Sequence, residues 1–174
     1  MKIFRCIICG EVTFATDAPS NCPFCSAGRT YLRDISRVNG EDIFDTATLS
    51  EEVRKYLLVL LNELSKASSY FKCVSNASKS EDYRAVFKRL AKISREHADV
   101  IRKILELDPI VLSEEECSID DNENFEKTLM YLAAIKDLYN QAAGETKEET
   151  TKTMFRAYNS VYEQLIEMVR DLEG

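Results

Sequence analysis

The sequence predicts an α-helical protein: a four-helix bundle with one long crossover connection, preceded by a small N-terminal metal-binding domain. Three observations carry that expectation. Two Cys-x-x-Cys pairs, Cys6/Cys9 and Cys22/Cys25, fall within the first 25 of 174 residues. Four later stretches show apolar residues at the 3.6-residue period of a helix. Gly and Pro are scarce, five and three, in a chain that is 45% hydrophobic and 30% charged, a composition that favours long helices.

The head comes first. Each Cys-x-x-Cys turn can aim two thiolates at one point, and two facing turns make a tetrahedral four-sulfur site. Cys6, Cys9, Cys22 and Cys25 are therefore the expected ligands. Iron and zinc both accept that geometry, so the spacing leaves the metal open. Residues 1–35 carry little core of their own, and metal binding of about 10–16 kcal/mol would suffice to fold so short a segment. Residues 36–48, polar and containing Gly40, read as a linker, and residues 49–174 as the bundle.

Helix one is expected from Ser50, an N-cap followed by Glu51 and Glu52, with the stripe Val53, Tyr56, Leu57, Leu60, Leu64, Ala67, Phe71 and Val74. The polar Ser75–Ser80 stretch reads as a turn. Helix two starts near Ser80 with Tyr83, Val86, Phe87, Leu90, Ile93, His97, Ile101 and Ile104. Pro109 is expected to end it by residue 107 or 108. Helix three, from about Asp121, presents Phe125, Leu129, Leu132, Ile135, Tyr139 and Ala142, with Gly144 as its C′ stop. Helix four, from about Thr146, presents Met154, Tyr158, Val161, Leu165, Met168 and Leu172. Two helical hairpins joined by a long connection fit the ferritin-like topology.

Charge narrows the function. The net charge is −7, but residues 1–35 carry four basic and three acidic side chains, +1, which leaves −8 on the remainder. Such a body excludes nucleic acid as the main partner, because phosphate binding needs clustered Lys and Arg. The longest apolar run, Tyr56 to Leu61, is too short to span a bilayer, so no membrane association is expected. The opening Met-Lys-Ile-Phe-Arg-Cys runs straight into the first knuckle, so no signal peptide is expected, and thiols used as ligands suit a reducing cytoplasm. Cys73 and Cys117 read as buried or incidental thiols ahead of a disulfide or peroxide-reactive pair. The acidic run 114–126 reads as solvated surface that helps start helix three. Its hint of a calcium loop fails at Phe125 and Tyr131, where a Gly and a Glu are needed.

The motifs Cys6-Ile-Ile-Cys9-Gly10 and Cys22-Pro23-Phe24-Cys25 resemble the knuckles of rubredoxins, and their twelve-residue gap is similar to that in rubrerythrins. Phe4 stands where an aromatic is common, whereas Ser26 and Glu11 stand where a second Gly and an aromatic are usual. An N-terminal rubredoxin-like head before a ferritin-like bundle resembles the reverse arrangement of the rubrerythrin family. The resemblance implies iron in the thiolate site, electron transfer through it, a peroxide-reducing di-iron centre, a redox partner protein and a homodimer.

The bundle matches that pattern only in part. Glu63, seven before Tyr70, matches the family's first ligand, and His97-Ala98 matches the end of Glu-x-x-His-Ala. Ser94 stands in place of the Glu, however. The later ligand positions hold Tyr131, Ala134, Tyr162 and Leu165, with Glu163 and Asp137 the nearest carboxylates. His97 is the only histidine. A di-iron centre is therefore not expected in full. Glu63, His97 and Glu163 remain candidates for one residual metal, set against a reading of Glu63 and His97 as a buried hydrogen-bonded pair. The expected function is electron transfer through an iron tetrathiolate in peroxide or oxidative-stress defence. The alternative is a zinc-stabilised helical interaction module without redox chemistry. Tyrosines in the bundle are expected to fill core volume.

Overall fold

A computed structural model describes residues 2–8, 11–38, 41–42, 50–109, 114–147 and 149–172. Strands β1 (Lys2–Cys6), β2 (Val12–Ala15) and β3 (Leu32–Asp34) form an antiparallel sheet in the order β2-β1-β3. Phe4 lies opposite both Thr13 and Asp34. Side chains alternate across a strand, so Phe4 and Cys6 share one face, where they pack with Ala15, Cys22 and Leu32 in a small core. Ile3 points the other way and joins the large core of the bundle. The sheet thus has a private face and a shared one. Buried Ser36 fixes it further, its Oγ accepting from the Ile3 amide at 2.7 Å. Strand β4 (Arg37–Val38) pairs antiparallel with β5 (Glu41–Asp42).

Helices α1 (Glu51–Ala77), α2 (Glu81–Ile104), α3 (Asp121–Glu145) and α4 (Glu149–Arg170) make the bundle. Its helix contacts are most extensive between α1 and α2, then α3 and α4, then α1 and α3. The starts obey capping chemistry: Ser50 Oγ accepts from the Val53 amide, Ser80 Oγ from Tyr83, and the Asp120 side chain from Asn122, each satisfying an orphan donor.

The ends depart from expectation. Polar Ser75 does not end α1, which runs on to Ala77, leaving a three-residue link to α2. Helix α2 stops at Ile104, ahead of Pro109. Glu106 adopts φ 57°, its amide donates to Lys103 O and the Leu107 amide to Arg102 O. That pair of bonds is the Schellman stop, here built on a non-glycine residue. Gly144 is not a C′ residue: α3 passes through it and ends where Thr146 donates both its amide and its Oγ to Ala142 O.

The core holds most of the expected stripes and adds Leu61, Tyr70, Phe155, Tyr162 and Val169. Tyr56, Tyr83, Val86, Leu129, Met168 and Leu172 lie at its margin. Among the described residues no helix is long and apolar enough to cross a membrane.

Candidate metal centre

Three cysteines converge. The sulfurs of Cys6, Cys22 and Cys25 all lie within 4.8 Å of one another. Cys6 sits at the end of the middle strand, held by its amide to Glu11 O at 2.9 Å. Cys22 and Cys25 sit on a turn closed by Ser26 N to Cys22 O at 2.9 Å and Cys22 N to Ala27 O at 2.7 Å. Ser26 adopts φ 62°, a conformation glycine takes without steric penalty. That explains why this position suits a glycine, and here a serine tolerates the strain. Cys9 lies outside the described residues.

The geometry suits a metal. Cys6 Sγ and Cys25 Sγ are 3.7 Å apart, far beyond the roughly 2.05 Å of a disulfide. A tetrahedron with metal–sulfur bonds of about 2.3 Å has an edge of about 3.8 Å. Cys6 and Cys22 are buried, while Cys25 is half-buried. Cys25 lines a cleft of about 400 Å³ between head and bundle, with Glu11, Phe24, Arg89 and Gln164 among its other walls. The identity of the metal, iron or zinc, is not fixed by sulfur positions alone.

The second knuckle is docked on the bundle through its backbone. His97 Nε2 lies 3.1 Å from Pro23 O and Nδ1 lies 3.0 Å from Tyr139 Oη. A carbonyl can only accept, so Nε2 carries the proton and Nδ1 accepts from the tyrosine hydroxyl. Complete burial pushes the His97 pKa down to about 3, partly opposed by the bond to Pro23. The ring is therefore neutral, and both nitrogens are engaged. Burial in turn raises the Tyr139, Tyr158 and Tyr162 hydroxyls above the ordinary tyrosine value, so they remain protonated.

Those three tyrosines enclose the histidine. The Tyr158 ring centroid is 4.1 Å from that of His97, Tyr162 is at 5.5 Å and Tyr139 at 5.8 Å. Tyr158 Oη is 2.6 Å from Thr13 Oγ1 on β2, and its ring meets Phe24 at 5.3 Å. Tyr162 Oη lies 3.5 Å from Ser94 Oγ. Glu96, one step along α2, is rotated about 100° from His97. That turn takes it off the bundle interior and onto the head, where it accepts from the Asn21 amide at 3.2 Å. Burial raises its pKa. Lys92 on the same helix donates to Ser26 O at 3.1 Å.

The other candidate ligands are not drawn together. Glu63 is half-buried, pairs with Lys66 at 3.3 Å and accepts from Asn62 at 2.9 Å. Glu163 is exposed and accepts from Asn159 at 3.2 Å. His97 is buried and hydrogen-bonded, but its partners are Tyr139 and Pro23, not Glu63. Among the described residues, the metal-ligating group the fold assembles is Cys6, Cys22 and Cys25. Of the positions opposite, Tyr162 and Leu165 are buried, Tyr131 is half-buried and Ala134 is exposed.

Cys73 and Cys117 correct the expectation of incidental thiols. They form a disulfide across 44 residues of sequence, with Cα atoms 5.9 Å apart. Docking contacts from Pro23, Thr13, Asn21 and Lys92 were likewise unforeseen. The first two use a backbone oxygen and a small hydroxyl, which carry no sequence signature; Glu96, a carboxylate beside the lone histidine, was the one available hint.

No family model matches the chain, and no solved structure matches it. The chain is distantly similar to reverse rubrerythrin-1 of Clostridium acetobutylicum, 30% identical over 115 residues that cover 60% of this chain and 62% of that protein's own length.

Proposed function

We propose that this chain is a rubrerythrin-like electron-transfer protein in which Cys6, Cys9, Cys22 and Cys25 hold one iron. The convergence of three sulfurs within 4.8 Å carries the reading, and the similarity to a reverse rubrerythrin supports iron over zinc. Residues 1–35 are then a rubredoxin-like domain, 36–48 a linker and 49–174 a ferritin-like bundle. A bound iron would supply one-electron exchange. The chain's own residues hold the thiolates in place, dock the second knuckle through His97 and shield Cys6 and Cys22 from water. Half-buried Cys25 is the side on which a redox partner protein would approach. A homodimer in the cytoplasm, serving peroxide or oxidative-stress defence, completes the reading.

Metal analysis with a visible spectrum tests it, on protein produced in iron-replete cells. One iron per chain with ferric-thiolate colour is the expected result. Colourless protein carrying one zinc under those conditions overturns electron transfer. Several irons per chain would instead overturn the view that the bundle holds no full di-iron centre.

One observation favours a second reading, a zinc-stabilised helical interaction module. His97 spends both nitrogens on Tyr139 and Pro23, and tyrosines fill the bundle centre around it. The bundle interior there is packing rather than chemistry. The zinc-loaded and iron-loaded forms would then bind the same partner with equal affinity.

A further inference from the structure

The Cys73–Cys117 bond lies outside the metal centre. Cys73 is on α1, and Cys117 is on the connection that leads into α3. From 114 to 120 no residue of that connection is fully buried, and Ile119 is wholly exposed. Cys117 is the residue by which the segment packs on the large core. The remaining ties are polar: Glu115 N to Ser69 Oγ at 3.1 Å, Ser118 N to Asn124 Oδ1 at 3.0 Å and Asn124 Nδ2 to Ser118 O at 2.8 Å. Lys127 Nζ reaches Glu116 O at 3.4 Å.

Charge works against those ties. Residues 114–126 carry seven carboxylates and no basic side chain, so the strap repels itself and the start of α3. Beneath it, buried Tyr70 donates its hydroxyl to Asn124 Oδ1 at 2.9 Å, the atom that also receives the Ser118 amide. The strap therefore roofs a tyrosine whose pKa burial raises to about 12. Both cysteines are half-buried rather than sealed in the core, and exchange requires only that a thiolate reach one sulfur of the bond.

We propose that Cys73 and Cys117 are a reversible dithiol–disulfide exchange site that clasps the 114–120 strap over Tyr70. A dithiol reductant opens it. One reductant thiolate attacks a sulfur of the bond, forming a mixed disulfide and releasing the other cysteine as a thiolate, which takes a proton. The second reductant thiol then attacks the mixed disulfide and frees the first cysteine. Two electrons and two protons reach the pair, and the reductant leaves as its own disulfide. The same exchange run backwards closes the clasp.

The test treats the intact, metal-loaded protein with dithiothreitol or with its oxidised form. Alkylation and peptide mass mapping read the thiols, and amide hydrogen exchange reads the strap. Under native conditions dithiothreitol should make both Cys73 and Cys117 alkylatable, and oxidised dithiothreitol should reverse it. Amides of 115–118 should then exchange at least about tenfold faster while those of α2 and α4 are unchanged. A Cys117→Ser variant, checked for helicity by circular dichroism, should show the fast exchange without reductant. A bond that resists dithiothreitol until the bundle unfolds overturns the proposal. So does a pair that oxidised dithiothreitol cannot join, or a strap whose exchange is the same in both states.

Discussion

Two groups of cysteines are handled in opposite ways. Cys6 and Cys25 hold their sulfurs 3.7 Å apart, too far for a disulfide, whereas Cys73 and Cys117 are joined. The first group is fixed by the middle strand and by a turn whose own amides set the sulfur positions. The second is brought together by the strap's return to α1. Local backbone geometry can hold thiols at the edge length of a metal tetrahedron, too far to bond and close enough to share an ion. Tertiary contact without such turns delivers two thiols, and two make a bond.

Metal removal should separate the groups most sharply. Chelation, or Cys22→Ser, removes binding energy of about 10–16 kcal/mol from the head. Amides of β1–β3 should lose exchange protection while the helical dichroism and the Cys73–Cys117 bond persist. Full protection of the sheet in metal-free protein would break the comparison.

His97→Ala comes next. It leaves Pro23 O and the Tyr139 hydroxyl buried without partners, at a cost of about 2–5 kcal/mol. The same residue sets a pH dependence. The unfolded chain protonates His97 near pH 6.5, while the folded chain refuses the proton until about pH 3. The unfolded state thus binds more protons in that window. Stability is complete above about pH 6.5 and falls as the pH drops towards 3. Urea midpoints measured across that range should decline in the wild type, and less steeply in His97→Gln.

Reduction of Cys73–Cys117 should lower stability by about 2–4 kcal/mol, with the exchange changes confined to the strap. Thr13→Val should cost about 1–2 kcal/mol by stranding the Tyr158 hydroxyl, read from denaturation midpoints. The smallest effect belongs to Glu63→Ala and Glu163→Ala. Each should shift stability by less than about 0.5 kcal/mol and leave metal content unchanged. Loss of metal from either variant would restore a bundle site.

What could be read from residue order follows the same division. Cys6, Cys22 and Cys25 were legible because ligand spacing is local, and Ser50 and Ser80 because N-caps are local too. The end of α2 was not, since glutamate at a left-handed position carries no signal, and Gly144 misled because Thr146 ends α3 instead. His97 and Tyr139 both stood on expected stripes, yet their pairing depends on how α2 and α3 face one another. Pro23 was visible as part of a motif, but its carbonyl, the group that docks, is common to every residue. The disulfide depended on where a long connection returned, which no spacing rule supplies.

The contact between Thr13 and Tyr158 spans 145 residues of sequence. A ribosome adds about 5–20 residues per second, so the sheet waits roughly 7–30 s for α4, the surface it must dock against. For the first part of that interval Pro23 lacks His97, which lies 74 residues further on, and throughout it the sheet lacks Tyr158, so the second knuckle has no finished bundle behind it. Whatever ion the head captures, it meets first as a nascent chain.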